Sequence, residues 1–508
     1  MKISRFQFTI VGALLLFNFS ARADLKLAEI FGDNMVLQQN QIVPVWGWTE
    51  SNAEVTVHFA GQNKSTRADA DGKWLVKLDK LKASSSPHDL AVTCFWGSWG
   101  NNAPSNGVGS GDMKTFTNIL VGEVWLASGQ SNMEKPIGNQ PGQKPVFNYE
   151  QELANSDYPQ IRLFNVKRGL AATPALDVKL GSGWELCNSN SLETLKFSAA
   201  AYFFGREIHT NLNVPVGLVE SSWGGTKIEP WTPPAGFEKI PSLAKFNSPP
   251  PLTGKLVNTM PMAIYNCMIA PLAGFAMRGA LWYQGESNLM GTNDDNDYLT
   301  YETKMEALVG GWRQIWGEGN FPFYFVQIAP FKYYGGKINR ANSPEMLPEF
   351  WTLQSQAARQ IKNSGMIVTT DLADNLDDIH PRDKQDVGHR LALLARNKTY
   401  GEKNVVCSGP TFQKIRIEGD QAILKFDNVD GGLISKDEKP LTFFTIAGAD
   451  GKFVPADAKI VGDTVEVFAA GVKSPKAVRF AWDETAQPNF FNRAGLPAEP
   501  FRTDDPLK

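Results

Sequence analysis

Four short polar clusters in this chain hold residue types that together can carry out acyl transfer. They are Gly129-Gln130-Ser131-Asn132-Met133, Ser222-Trp223-Gly224-Gly225-Thr226, Gln284-Gly285-Glu286-Ser287-Asn288 and Asp377-Asp378-Ile379-His380-Pro381. A serine hydroxyl attacks a carbonyl only when a base removes its proton; a histidine can do this near neutral pH, and a carboxylate can hold the imidazole in the useful tautomer. Glycines let backbone N–H groups approach the oxyanion that develops. Each cluster also has a plainer reading: Ser131 as a helix N-cap, Gly224-Gly225 as a turn, His380 as a helix-entry residue, Asp377 or Asp378 as a cap. Their joint occurrence favours hydrolase chemistry, because His209 and His389 fall within helical patterns and leave His380 as the histidine at a strand end.

Elements with the right order surround these clusters. Ile119-Leu120-Val121 and Val124 to Ala127 read as a buried strand that runs into the turn at Ser128-Gly129. Helical patterns over Ala199–His209, Asn266–Phe275, Tyr298–Trp316 and Glu349–Ile361 precede apolar runs at Val216–Ser221, Gly279–Gln284, Phe323–Ile328 and Met366–Thr370, and a last helix is expected from about Arg382 to Arg396. This alternation predicts an α/β domain, a parallel sheet with helices on both faces, with ligands at the carboxyl ends of its strands. Residues 24–115 lack helical period and alternate short β runs (Ile42–Gly47, Glu54–Phe59, Trp74–Leu78) with turns, as expected of a small β-sandwich. Beyond about residue 402 the β texture returns, in Phe412–Ile417, Gln421–Phe426, Leu441–Ile446 and Thr464–Phe468. The expected division is therefore 24–115, 116–402 and 403–508, with an exposed loop at Gly97–Asp112.

Bulk properties narrow the partners. A length of 508 residues exceeds one ordinary core, and 42% hydrophobic with 20% charged residues excludes a disordered or coiled-coil chain. Fifty basic against 53 acidic residues leave a net charge of -3, so no field points to nucleic acid or to an acidic membrane. The four cysteines are widely spaced, with neither a disulfide framework nor a zinc pattern. Lys2 and Arg5 precede an apolar run from Phe8 to Phe17 and the small-residue pattern Ala21-Arg22-Ala23, which reads as a signal peptide (1–23) cleaved near Ala23. The run is shorter than a membrane span needs, so a protein exported to a periplasm or the medium, without a membrane partner after cleavage, is expected.

The order of the parts sorts the hydrolases. The second glycine of a G-x-S-x-G elbow is missing here, and the acids lie almost beside the histidine near the domain's end. That spacing resembles the SGNH (GDSL-like) hydrolases. More closely, GQSNM, SSWGGT, QGESN and DIHPRDKQDVGHRLAL, in this order, resemble the sialate O-acetylesterase family of carbohydrate esterases. The resemblance implies an SGNH-type sheet flanked by N- and C-terminal β modules, Ser131 as nucleophile and His380 as general base. It also implies an oxyanion hole from the N–H of Ser131, an N–H of Gly224 or Gly225, and a side-chain amide of the third block. Where the wider SGNH pattern has G-x-N-D, this chain has Gly285-Glu286-Ser287-Asn288, so the amide falls to Gln284 or Asn288, with Gln284 preferred. Glu286 is expected to bridge to the first block and is counted with the substrate-site residues, with a catalytic acid role as the lesser reading.

A sugar offers CH faces and hydroxyls, which makes Trp223, Trp231 and Trp282 candidate walls and the Pro-rich stretch Pro230–Pro261 a candidate rim. The acidic run Asn293–Asp297 lacks the spacing of a calcium loop, and neither metal nor cofactor is expected. The expected activity is removal of O-acetyl groups from a carbohydrate, with an O-acetylated sialic acid foremost, through an acetyl-enzyme on Ser131. An acetyl esterase of plant polysaccharide and an inactive glycan-binding protein are the alternatives. For the acid, a turn over 377–380 brings Asp377 to His380, as in the D-x-x-H spacing of SGNH enzymes, whereas an extended segment selects Asp378. The turn, and with it Asp377, is the preferred expectation.

Overall fold

The structure is a computed structural model that describes residues 24–96, 110–291, 297–336 and 341–504. The expected signal segment, most of the Gly97–Asp112 loop and all of the acidic run except Asp297 lie outside the described residues.

The central sheet is built from β1 (Ser110–Gly129), β2 (Tyr158–Asn165), β3 (Glu185–Cys187), β4 (Val216–Ser222), β5 (Gly279–Tyr283), β6 (Phe323–Val326) and β7 (Ser364–Ile367), in the order β3-β2-β4-β1-β5-β6-β7. All neighbours are parallel except the antiparallel edge strand β3. Side chains alternate between two apolar layers, as a strand's two-residue period requires. Leu126, Val219, Ala280, Trp282, Phe323 and Phe325 pack with Trp312 and Phe350 on one face. Trp125, Ala127, Leu218, Leu281, Tyr283 and Tyr324 pack with Phe204 and Leu391 on the other. Helices α4 (Tyr301–Trp316) and α5 (Met346–Gln360) cover the first face, α2 (Ala199–Leu212) and α6 (Lys384–Leu394) the second. The α/β class expected from the alternation is the architecture observed, in a mixed sheet.

Several elements depart from expectation for identifiable reasons. The helix expected over Asn266–Phe275 is present only in part, as a wide π-helical turn at Tyr265–Ile269 followed by a tight 3-10 turn at Ala270–Leu272, because Pro271 lacks an N–H and its ring clashes with the preceding turn. The last helix starts at Lys384, after Pro381, and Asp383 caps it by accepting from the Asp386 N–H at 2.9 Å. Strand β2 escaped the sequence reading; its Tyr-Pro-Gln start gives no alternation, yet Ile161, Leu163 and Phe164 are buried.

In the N-terminal region Val43–Trp48 pairs antiparallel with Lys73–Leu78, and Glu54–Phe59 lies between Gln62–Arg67 and Ser84–Trp96. Strand β1 pairs with Ser84–Trp96 near its start and with β4 and β5 near its end, so one strand runs through the 115/116 boundary. The C-terminal region forms separate antiparallel sheets, one of them made of Thr411–Glu418, Gln421–Asp427, Thr464–Phe468 and Asp457–Val461 in that order. Its aromatic core of Phe426, Phe444, Phe480, Phe490 and Phe501 is distinct from both sheet layers.

Candidate active site

Strand β1 is the centre of the sheet, and its carboxyl end delivers the first cluster. Gly129 has φ +141°, and a Cβ there would lie 2.1 Å from the Tyr283 carbonyl oxygen, so only glycine lets the chain turn this close to β5. The Gln130 N–H then donates to that same carbonyl at 2.9 Å, and Ser131 opens a one-turn helix, α1 (Ser131–Glu134). Among the described residues the Ser131 N–H has no hydrogen-bond partner. From β4 the second cluster arrives alongside, with a Cβ on Gly224 falling 3.1 Å from Ser131 Cβ.

The fourth cluster closes over this turn. His380 Nε2 lies 2.9 Å from Ser131 Oγ, although 249 positions separate the two residues. Asp378 Oδ1 accepts from the His380 backbone N–H at 3.0 Å and stands 3.5 Å from His380 Nδ1. The preferred expectation of Asp377 is corrected. The turn spans residues 375–378, with the Asp378 N–H donating to the Asn375 carbonyl at 3.0 Å, two residues earlier than anticipated. Beyond it the chain opens out, so Asp378 turns back on His380 as an Asx-type loop, while Asp377 pairs with Lys332 at 3.3 Å.

Burial is the largest cause that pulls His380 down to about 4, and the Lys384 and Lys135 ammonium groups add to it against the opposing pull of Asp378. Lys384 is itself buried, which lowers it to about 7, and Lys135 is lowered to about 8 by the same desolvation. Lys384 Nζ donates to Asn132 Oδ1 at 2.8 Å, and Asn132 Nδ2 donates to Glu286 Oε1 at 2.5 Å and to the Ile379 carbonyl at 3.0 Å. One amide thus ties together the nucleophile turn, the third cluster, the histidine loop and α6. Neither Asn132 nor Lys384 was singled out from the sequence. The available signal was a lysine in the first turn of a helix, where the macrodipole disfavours a cation.

The third cluster serves this framework more than the reaction. Gln284 is fully buried, and its Nε2 lies 3.1 Å from Gln130 Oε1, 3.1 Å from the Thr226 carbonyl and 2.8 Å from Asn288 Oδ1. Asn288 is equally buried and donates to both carboxylate oxygens of Glu229 at 3.2 Å. Both expectations of a side-chain oxyanion donor are therefore corrected, since the hydrogens of these amides are already spent inside the fold. Glu286 makes the expected bridge to the first block; its burial corrects the expected substrate contact, and the carboxylate facing His380 is that of Asp378, not Glu286. Trp231 is corrected from wall to core: it is buried, donates to Thr226 Oγ1 at 2.9 Å and packs edge-on against the equally buried Trp282. Trp223 is only partly buried and stays at the strand ends.

The two glycines of the second cluster differ. The Gly224 N–H donates to Glu134 Oε2 at 2.9 Å, whereas the Gly225 N–H, in a turn with φ +74°, has no partner among the described residues. Glu134 also ion-pairs through Oε1 with Arg168, whose guanidinium carbon lies 5.8 Å from the Trp223 ring centre.

A serine on a strand-to-helix turn, hydrogen-bonded to a histidine that a carboxylate backs, at the carboxyl ends of a parallel sheet, is the arrangement of a serine-type esterase. The family described as carbohydrate esterase, sialic acid-specific acetylesterase matches residues 121–396, and the chain belongs to this family of carbohydrate O-acetylesterases. Sialate O-acetylesterase of Homo sapiens is 29% identical over 524 residues, with 95% of this chain and 93% of that protein covered. Its counterpart from Mus musculus is 28% identical over 546 residues, covering 95% of each. The crystal structure of XAC1771, a carbohydrate acetylesterase from Xanthomonas citri, superposes with a TM-score of 0.80 at 34% identity, across 94% of this chain and 99% of that one.

Proposed function

We propose that this enzyme removes O-acetyl groups from O-acetylated sialic acid through an acetyl-enzyme on Ser131. The observation that carries the proposal is the 2.9 Å contact between Ser131 Oγ and His380 Nε2, with Asp378 on the far ring nitrogen. In the neutral tautomer Nδ1–H faces Asp378, which leaves Nε2 free to accept the Ser131 proton as Oγ attacks the acetyl carbonyl. Of the expected backbone donors, the developing oxyanion takes the two N–H groups without a partner among the described residues, those of Ser131 and Gly225. His380 then returns the proton to the departing sugar oxygen, and in the second half it deprotonates the water that releases acetate from Ser131.

The sialic acid assignment is supported by the family description and by the names of the curated relatives. The N-terminal pattern of charge, apolar run and small residues supports export, and among the described residues no helix is long and apolar enough to cross a membrane. Acetate release from a panel of O-acetylated glycans tests the assignment. The expected result is preferential turnover of O-acetylated sialic acid; a preference for acetylated xylan or xyloglucan fragments would move the substrate to plant polysaccharide. No acetate from any member would leave only glycan binding.

A further inference from the structure

We infer that Arg168 is a specificity-determining residue that receives the carboxylate of an acidic sugar beside the nucleophile. The inference rests on the sialic acid reading above, because that sugar differs from neutral acetylated sugars in bearing a carboxylate.

Position is the first support. Arg168 follows the carboxyl end of β2, on the side of the sheet where β1 delivers Ser131, and it is linked to the nucleophile by a short chain of contacts. Its Nη2 pairs with Glu134 Oε1; Glu134 Oε2 accepts the Gly224 N–H at 2.9 Å; the Gly224 backbone abuts Ser131. Availability is the second. A guanidinium has five N–H donors, and among the described residues Glu134 is the one hydrogen-bonding or ion-pairing partner of Arg168. The side chain is 48% exposed, so solvent and a ligand reach it. The third support is the neighbour: with its guanidinium carbon 5.8 Å from the Trp223 ring centre, the site sets a planar cation beside an aromatic face. A carboxylate on the guanidinium and CH groups against the indole are what a sugar acid presents together.

Other cations near the nucleophile are less suited. Lys135 and Lys384 are buried, and Lys384 Nζ is held by Asn132. Lys332 is 42% exposed, but its ammonium lies on Asp377 at 3.3 Å. Glu134 pairs with Arg168, and partial burial lowers the guanidinium from its ordinary value while the charge of Glu220 opposes that shift.

The test compares O-acetylated sialic acid with its methyl ester, in which the carboxylate charge is removed, and reads acetate release as kcat/KM for each. The wild-type enzyme is expected to prefer the free acid by about tenfold or more, the usual scale of a charge-assisted hydrogen bond, through KM. In R168Q that preference should fall to near one, and R168K should retain part of it. Because each preference is a ratio within one enzyme, a general loss of activity does not disturb it. An R168Q enzyme that keeps the wild-type preference overturns the inference, as does a preference that collapses in K332Q while surviving in R168Q. A wild-type enzyme that releases acetate from neutral acetylated sugars but from neither sialic acid form instead overturns the substrate reading on which the inference stands.

Discussion

At the scale of single residues, the distinction between two adjacent aspartates is the sharpest consequence of the structure. Asp378 faces His380 Nδ1 and Asp377 faces Lys332. Asp378→Asn is expected to lower kcat by about two to four orders of magnitude, since an amide favours the wrong histidine tautomer, while Asp377→Asn stays within a few-fold of wild type. Steady-state kinetics on two folded variants checks the ranking, and the reverse order would return the role to Asp377. The pH profile gives an independent check. A base lowered to about 4 by burial and by two ammonium groups stays neutral well below the ordinary histidine range, so kcat/KM should be level from pH 7 to 5 and fall by half near pH 4. A limb centred near pH 6.5 would show an unperturbed histidine. Ser131 and His380 were legible in the sequence because residue type and strand-end position suffice to nominate them. The choice of acid was not, because it turns on a two-residue shift in where the loop bends, and Asn375, whose carbonyl closes that bend, carries no chemical signature.

At the scale of elements, the site is held by a buried polar clasp whose parts come from four segments. Asn132 on α1 joins Glu286 of α3 (Glu286–Leu289), the Ile379 carbonyl and Lys384 of α6. Asn132→Ala would strand a buried carboxylate and a buried ammonium together. It is expected to destabilise the catalytic domain by about 2–4 kcal/mol, measured by urea unfolding, with activity falling even where the fold persists. A loss below about 0.5 kcal/mol would mean that the clasp is not a structural unit. The strands and helices behind it were largely readable, because the continuous apolar runs of β4, β5 and β6 and the apolar faces of α2, α4 and α5 report burial directly. What the sequence concealed was direction. Gln284 and Asn288 are strand-end amides of the right type, yet their hydrogens point into the sheet toward Gln130, Thr226 and Glu229, and no linear pattern records where an amide points.

At the scale of the whole molecule, the C-terminal region braces the histidine loop. Glu484 is buried, and its carboxylate accepts the backbone N–H groups of Tyr333 and Tyr334, each at 2.9 Å, while its own carbonyl accepts the Phe331 N–H at 3.1 Å. Gln487 donates to the Ala373 carbonyl, and the Lys332 N–H donates to the Leu376 carbonyl at 3.1 Å, which carries the brace to within a few residues of Asp378. Glu484→Ala leaves the Tyr334 amide unpaired and takes one of two acceptors from the Tyr333 amide, and it is expected to lower kcat by about tenfold or more, with faster proteolysis around Phe331–Gly336; unchanged kcat would reduce this region to an attachment. The proposed chemistry requires that Ser131 become acetylated and that His380 serve it. Acetate release by Ser131→Ala, in protein whose circular dichroism and thermal unfolding match the wild type, tests that claim most directly. The predicted result is a loss of at least about three orders of magnitude in kcat. Turnover within tenfold of wild type in the folded variant would contradict it.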